Sequence, residues 1–440
     1  MTVDKKGTIR IAEWAPHRRA NTVNAFLRRP AVDAQADAVA GEVLADIRER
    51  GDKAVLEYVQ RFDGCKLSTQ TLRVSQKEKL DARKQVDAEF KQAVREAHSR
   101  IVRFARAGLR KNWTVSSPKG GVLGERFIPY DRIGAYIPGG AAPLASTALM
   151  TVTLAKVAGV LEIAACTPAD TLHKGHINPY LLFALDIAGA TEIYRIGGIQ
   201  AVGAMAYGTR TIPKVQKIVG PGGPYVTAAK RRVYGDVALD MVAGPSEIAV
   251  LADDAAQAAF VAADLLSQAE HGTGAEKALL VTPSRKLAEA VRDELLQQTE
   301  TLSRKEQIRQ VLARGTLIVV VDKLDDGMEL CNRFAPEHLE LHVREPRRWV
   351  EKVHSAGAVF VGAWTPESAG DFVAGPSHVL PTGGTAAMFS GLTVEDFRRR
   401  TSVITFTRAD LKDVLPVIEA FGRVEGLDAH ARSATIRFEH

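Results

Sequence analysis

At the end of a helical pattern stands Ser267-Gln268-Ala269-Glu270-His271-Gly272, a run whose side chains suit a cation. Gln268 and His271 are three residues apart, so both reach the same side of the last turn. An amide oxygen and an imidazole, joined by a carboxylate, make a donor set for a divalent metal, with zinc the leading candidate. Taken alone, the histidine equally suits an interaction with the helix C-terminus. Glu337-His338 follows Pro336 at a turn into a strand. Neighbours on a strand point to opposite faces. At its first residues, where the chain turns, both can reach one pocket and offer two proton-transfer groups of different pKa. A solvated acid beside a hydrogen-bonded histidine is the plainer alternative.

The stretch from Trp364 to Pro381 is long and rich in Gly and Pro, the kind of segment that commonly carries function. Within it Asp371 can ligate a metal and His378 can bind a substrate acid or amide. Ser246 and Ser377 are candidate nucleophiles, but neither lies in G-x-S-x-G, which weakens a hydrolase reading. His430 stands alone in the C-terminal tail, where a surface histidine is the ordinary case. Gly139-Gly140, Gly197-Gly198 and Gly220-Pro221-Gly222-Gly223 each follow a strand-like run, where α/β proteins hold ligands. None is a dinucleotide fingerprint, because Tyr225 replaces the last glycine of the pattern that starts at Gly220. Tight turns and a nucleotide site both fit them.

The elements that must position these groups follow from periodicity. Val32 to Asp63 has helical spacing with a break at Gly51-Asp52, and Ser75 to Leu109 is a second, charge-rich helical region. From about Arg132, strand-like runs (132–137, 161–166, 192–196, 217–219) alternate with helical ones (146–160, 179–190, 200–208, 225–234). The rhythm restarts with strands at 248–251, 278–281, 317–321, 339–343 and 358–361, and helices at 255–270, 286–298, 324–334 and 346–356. This is an α/β chain with two successive Rossmann-like parallel-sheet units, an N-terminal helical segment and a C-terminal tail containing a helix over 410–421.

The chain has 440 residues, 46% of them hydrophobic, enough apolar surface to exclude disorder and to fill more than one core. There are 58 Lys+Arg against 52 Asp+Glu, and the surplus is scattered, with Arg398-Arg399-Arg400 its densest cluster. Without interleaved aromatics this reads as a solvated surface, so no nucleic-acid partner is expected. Cys65, Cys166 and Cys331 are far apart and form no CxxC, which suits reduced thiols in the cytoplasm. Met1 to Gly7 is polar and reads as no signal peptide. The uncharged stretch from Ile133 to Ala155 is broken by Pro138, Pro143 and three glycines, so no membrane span is expected.

Six separated segments, in order, together resemble the histidinol dehydrogenase family. They are Tyr136-Ile137-Pro138-Gly139-Gly140 with Ala142-Pro143-Leu144; Asp240 to Glu247; Asp264 to Gly272; Pro336-Glu337-His338-Leu339; Pro366 to Asp371; and His378 to Thr382. The resemblance runs from about Ala31 to Arg437. It implies one zinc per subunit held by Gln268, His271, Asp371 and His430. The tail ligand, His430, would come from the partner subunit, so that a homodimer shares its active sites. It further implies substrate contacts from Ser246, His338, His378 and Glu425, proton acceptors in Glu337 and His338, and NAD contacts from Tyr136 and Gln200. Gly223 stands at a third NAD-contacting position, where the family usually has Asn. Ser377 and Phe372 likewise replace a common Asn and Tyr.

The implied reaction is the NAD-dependent four-electron oxidation of L-histidinol to L-histidine through a bound aldehyde, a step of histidine biosynthesis. Relatives with this scaffold oxidise other small alcohols, including a sulfonated propanediol, and that is the alternative substrate. A zinc hydrolase using the same donors is the rival enzyme class. The expected division is an N-terminal segment over 1–31 and a first α/β domain, with zinc and catalytic residues, over 32–135 and 245–392. A second α/β domain on the NAD side spans 136–244, and the tail over 393–440 contributes to the partner's site.

Overall fold

The computed structural model describes residues 9–439 except 19, 30–32, 140–142, 171–174, 243 and 272–273. Gly140, Ala142, Ala243 and Gly272 of the motifs above therefore lie outside the described residues. Among the described residues strand β1 (Arg10–Trp14) comes first and, after a run of helices, a hairpin forms from β2 (Trp113–Ser116) and β3 (Val122–Pro129). Then β4 (Arg132–Tyr136), β5 (Glu162–Thr167), β6 (Glu192–Arg195), β7 (Lys217–Val219) and β8 (Ala238–Leu239) alternate with helices. A second series follows: β9 (Glu247–Ala252), β10 (Lys277–Thr282), β11 (Thr316–Val321), β12 (His338–His342) and β13 (Ala358–Val361). Strand β14 (Arg398–Thr405) precedes the helices Arg408–Glu425 and Asp428–Thr435.

Two parallel sheets result, as the alternating rhythm implies. The smaller has the order β6-β5-β4-β7-β8 and the larger the order β1-β11-β10-β9-β12-β13. Runs such as Ile248–Ala252 and Leu279–Val281 are apolar throughout and fully buried, because helices cover both faces of a parallel sheet. In the smaller sheet the chain moves from β4 outward through β5 and β6, then returns to add β7 and β8 on the other side. In the larger it reverses in the same way between β9 and β12. Such reversals open a crevice between neighbouring strands.

The expected partition needs three corrections. The N-terminal segment is no separate piece, since β1 pairs in parallel with β11 from Arg10–Leu317 to Trp14–Val321 and forms an edge of the larger sheet. The helices after residue 32 belong with the smaller sheet. Ala36, Ala40, Val43, Leu44 and Ile47 of the helix Ala34–Arg50 share a core with Ile199, Val202 and Ile218. Val94, Ile101 and Ala105 of the helix Ala88–Gly108 share another with Ile133 and Ile163. The larger sheet is already covered, on one face by Val261, Leu265, Leu287 and Val291, and on the other by Met328, Phe334, Val23 and Phe26. Finally, the boundary expected after residue 135 falls inside β4, the central strand of the smaller sheet.

The tail contains the expected helix, within Arg408–Glu425, and is joined to the fold by a strand. β14 pairs antiparallel with β3 along its whole length, making a three-stranded sheet with β2. The helix expected over 346–356 shrinks to Arg347–Val350, a piece with no buried residue and so no packing to extend it. Among the described residues no helix is long and apolar enough to cross a membrane, and all three cysteines are buried and unpaired.

Candidate active site

Three elements converge at the amino ends of β9 and β12. The helix Ala258–Ala269 brings Gln268 at its last turn. β12 begins with His338, preceded by Glu337. The expected long loop contains a six-residue helix, Glu367–Phe372, which brings Glu367 and Asp371, four residues apart and so on one face. His338, Glu367 and Asp371 hold ligand-type atoms within 4.8 Å of one another.

The contacts around His338 are those of a buried charge cluster. Its Nδ1 lies 3.4 Å from Glu367 Oε1 and 3.9 Å from Glu337 Oε2, and its Nε2 lies 3.6 Å from Asp371 Oδ1. That Nε2 is buried and has no hydrogen-bond partner. Burial alone would lower the imidazole pKa, but Glu367, Glu337 and Asp371 outweigh it and push it up to about 10. Glu337 is pushed up to about 7 by burial, against the pull of His338. Its Oε2 accepts the Glu247 N–H at 3.1 Å, which fixes the carboxylate at the mouth of β9. Burial also raises Glu367, whose Oε2 accepts the Ser267 hydroxyl at 2.6 Å. Burial works to raise Asp371 as well, yet the imidazoles of His338, His378 and His271 hold its carboxyl below the ordinary value.

Gln268 is fully buried, and its neighbours decide how the amide is turned. Glu367 Oε1 (3.2 Å) and the Glu247 carbonyl (3.3 Å) are both acceptors, so the nitrogen faces them, with His338 Nδ1 3.1 Å from that same end. The amide oxygen is thereby left on the side of His271 Nδ1, 3.4 Å away. His271, just beyond the helix, is exposed and bonds the Gln268 carbonyl through Nδ1 at 3.2 Å. His378 ties the two sheets' layers together. Its Nδ1–H donates to the Asp371 carbonyl at 3.0 Å, leaving Nε2 to accept from Thr147 Oγ1, on a helix of the smaller unit, at 3.2 Å. Burial lowers its pKa, in keeping with this neutral tautomer. Ser246 is half-buried directly before β9. Ser377 Oγ is occupied in donating to the Met150 carbonyl at 3.1 Å, which speaks against a nucleophile. Phe372 is exposed.

A second constellation lies at the carboxyl ends of the smaller sheet's strands, at the reversal between β4 and β7. Tyr136 ends β4, and its hydroxyl accepts the Gly198 N–H at 3.2 Å. Gln200 is fully buried; its Nε2 donates to Asp63 Oδ1 at 3.1 Å while its Oε1 has no partner. Asp63 Oδ2 accepts the Gly197 N–H at 2.9 Å. Gly220, at φ +114°, passes so close to β4 that a Cβ would sit 2.1 Å from the Tyr136 carbonyl oxygen. Gly223 caps the helix Pro224–Arg232 in open space, with nothing within 4 Å of an added Cβ, so the usual Asn is missing without being sterically barred.

One chain thus brings together Gln268, Glu337, His338 and Asp371, with His271 and His378 alongside. It does not bring Glu425 or His430 to them. Both are exposed on the tail helices, and His430 is absent from the cluster around Asp371. Sequence reasoning missed Glu367, Asp63 and Glu247. A signal existed for the first, which stands one helical turn before Asp371.

Parallel-sheet layers closing on a buried set of carboxylates, imidazoles and an amide define an α/β enzyme with a metal-type donor centre beside a crevice of nucleotide-fold geometry. A model of the histidinol dehydrogenase family matches residues 27–438. Histidinol dehydrogenase of Heliobacterium mobile is 46% identical over 407 residues, 92% of this chain and 95% of that protein. The Bacillus cereus (strain ATCC 10987 / NRS 248) histidinol dehydrogenase is 45% identical over 398 residues, covering 90% and 91%. The crystal structure of histidinol dehydrogenase from Elizabethkingia anophelis superposes with a TM-score of 0.92 at 36% identity, covering 98% of each chain. The chain belongs to the histidinol dehydrogenase family and is an oxidoreductase.

Asp63 gives this site a pH signature. Burial lifts its carboxyl from 3.8 to about 6, against hydrogen bonds from Gly197 and Gln200. A native state that holds the proton more tightly than the unfolded chain loses stability as pH rises through that window. Asp63→Asn does not titrate, so urea unfolding should show it gaining about 2 kcal/mol on the wild type between about pH 4 and pH 7. A stability difference independent of pH would contradict this origin of the shift.

Proposed function

We propose that this protein oxidises L-histidinol to L-histidine with two NAD, using one zinc ion per subunit in a site shared between two copies of the chain. The observation that carries the reading is the convergence of Gln268, His271 and Asp371 beside the acid–imidazole pair Glu337–His338. The donors suit zinc. An amide oxygen turned outward, an imidazole and a carboxylate depressed by neighbouring imidazoles make three protein ligands, and His430 of a second copy would make a fourth. Tyr136, the unpaired Gln200 Oε1 and the helix start at Gly223 support NAD at the smaller sheet's crevice.

When bound, zinc supplies orientation for the substrate's nitrogens and a positive charge that offsets Asp371, and NAD accepts the hydrides. The chain's own residues handle protons. His338 is neutral once the carboxylates that hold its proton are offset by a cation beside Asp371, and its Nε2, which has no hydrogen-bond partner, then takes the proton of the carbinol oxygen. Glu337, poised near neutrality and oriented by the Glu247 N–H, takes a proton from the water that adds to the aldehyde. His378, neutral and anchored to both layers, contacts the substrate, as do Ser246 and the partner's Glu425. In sum, one alcohol, one water and two NAD+ give one carboxylate, two NADH and three protons. Enclosure limits loss of the aldehyde to solvent. A cytoplasmic setting suits the three unpaired thiols.

A second copy is supported by the tail. Val417, Phe421 and Val424 lie on one face of the helix Arg408–Glu425 and are 55%, 62% and 80% exposed, an apolar stripe that a monomer would leave in water.

Supplied with L-histidinol, the protein should form two NADH per molecule, and a chelator should abolish this; with a sulfonated propanediol it should form none. One NADH, or insensitivity to chelator, defeats the reading. Glu337→Gln should slow oxidation of supplied histidinaldehyde at least about 10-fold more than oxidation of the alcohol; equal losses would remove its assigned role. Sharing of the site has its own check. His430→Ala and Asp371→Asn should each be inactive, and coexpressed in equal amounts should recover about a quarter of wild-type activity, because half the dimers are mixed and each has one intact site. No recovery would place both ligands in one chain.

A further inference from the structure

One face of β12 carries three buried polar side chains in succession, His338, Glu340 and His342, at the two-residue repeat of a strand. Only the first takes part in the chemistry above. Glu340 is fully buried and sits 3.1 Å from His342 Nε2 through Oε2. Its Oε1 accepts the backbone N–H of Glu367 at 2.9 Å. Asp264 Oδ2 lies 3.4 Å from the same His342 nitrogen. Each element that builds the active site therefore sends one group into this network. The helix Ala258–Ala269 sends Asp264, one turn before Gln268, and β12 sends Glu340 and His342. The helix Glu367–Phe372 sends the N–H of its first residue, one turn before Asp371.

A buried ionic cluster is a poor device for stability, since desolvation opposes it and apolar replacements of similar volume are often neutral or better. Its geometry explains its presence differently. The helix that carries Asp371 is six residues long, has Glu367 as its only buried residue, and starts after Pro366, which supplies no side-chain cap. It is held by the Glu367 carboxylate on Ser267, by the Asp371 carbonyl on His378, and by the Glu367 N–H on Glu340, which fixes where the helix begins. We propose that Asp264, Glu340 and His342 are positioning residues that set the spacing of Gln268 and Asp371 around the cation by locking both helices to β12. This rests on the zinc reading given above.

The experiment measures Zn2+ affinity by competition with a chromogenic chelator, with unfolding temperature recorded on the metal-stripped proteins. Glu340→Leu, which has no acceptor for the Glu367 N–H, should bind Zn2+ about 10–100-fold more weakly. Glu340→Gln, which keeps an acceptor oxygen, should stay within about 3-fold of wild type. Val291→Ala, a cavity in the larger sheet's apolar core that removes none of these polar groups, serves as the stability-matched control and should leave affinity unchanged. Wild-type affinity in Glu340→Leu, or a loss matched by Val291→Ala, overturns the proposal and leaves the zinc reading standing. A wild-type protein that takes up no Zn2+ defeats both. If Glu340→Leu does not fold, His342→Gln decides, with about 10-fold weakening expected and unchanged affinity fatal.

Discussion

A single imidazole, His338, stands between two buried carboxylates and a third that is partly exposed, and that imbalance of charge organises the structure around it. Glu337, Glu367 and Asp371 could not share so small a volume as bare anions. The imidazole draws them in, and two of the acids are then fixed by a second partner: a backbone N–H for Glu337 and a serine hydroxyl for Glu367. The cluster sets three acids against one imidazole, so not all of them can be neutralised by it when ionised. It is a place where a further cation lowers the energy, and where a proton is held until one arrives.

The strand order explains where the two halves of the site lie. Each sheet reverses direction once, and each reversal hosts a constellation. They use opposite edges, however. Tyr136, Gly197 and Gly220 are at carboxyl ends of the smaller sheet's strands, whereas Glu247 and His338 begin strands of the larger. The short connector from β8 to β9 brings these edges together, and the His378–Thr147 contact closes the gap from the other side. In the function proposed above, a hydride acceptor on one sheet and proton acceptors on the other would then work on one carbon.

Much of this was readable in the residues. Periodicity locates both strand series, and the donor chemistry of Gln268–His271, Glu337–His338 and Asp371 is visible in the residue types alone. Other features were hidden for physical reasons. β1 is a five-residue strand whose partner, β11, lies some three hundred residues on, and no local pattern announces such a pairing. The helices after residue 32 are amphipathic in their own right, and which sheet they cover depends on what the other helices have already covered. Glu340 and His342 interrupt a buried strand in which apolar residues are the rule, so in the linear chain they look like surface positions. The tail residues Glu425 and His430 came only through the likeness, since nothing local separates them from ordinary exposed side chains.

The pairing of β1 with β11 also bears on how the chain is made. The strands of the smaller sheet and most of its core are synthesised by about residue 240, and can pack before Val379, Leu392, Val394 and Phe397 complete that core. Strand β1 cannot. It waits, unpaired, through most of translation until β11 leaves the ribosome, so the order of assembly runs opposite to the order of synthesis at this one edge. The charged residues Arg10 and Glu13 keep that waiting segment from being a uniformly apolar template for other chains.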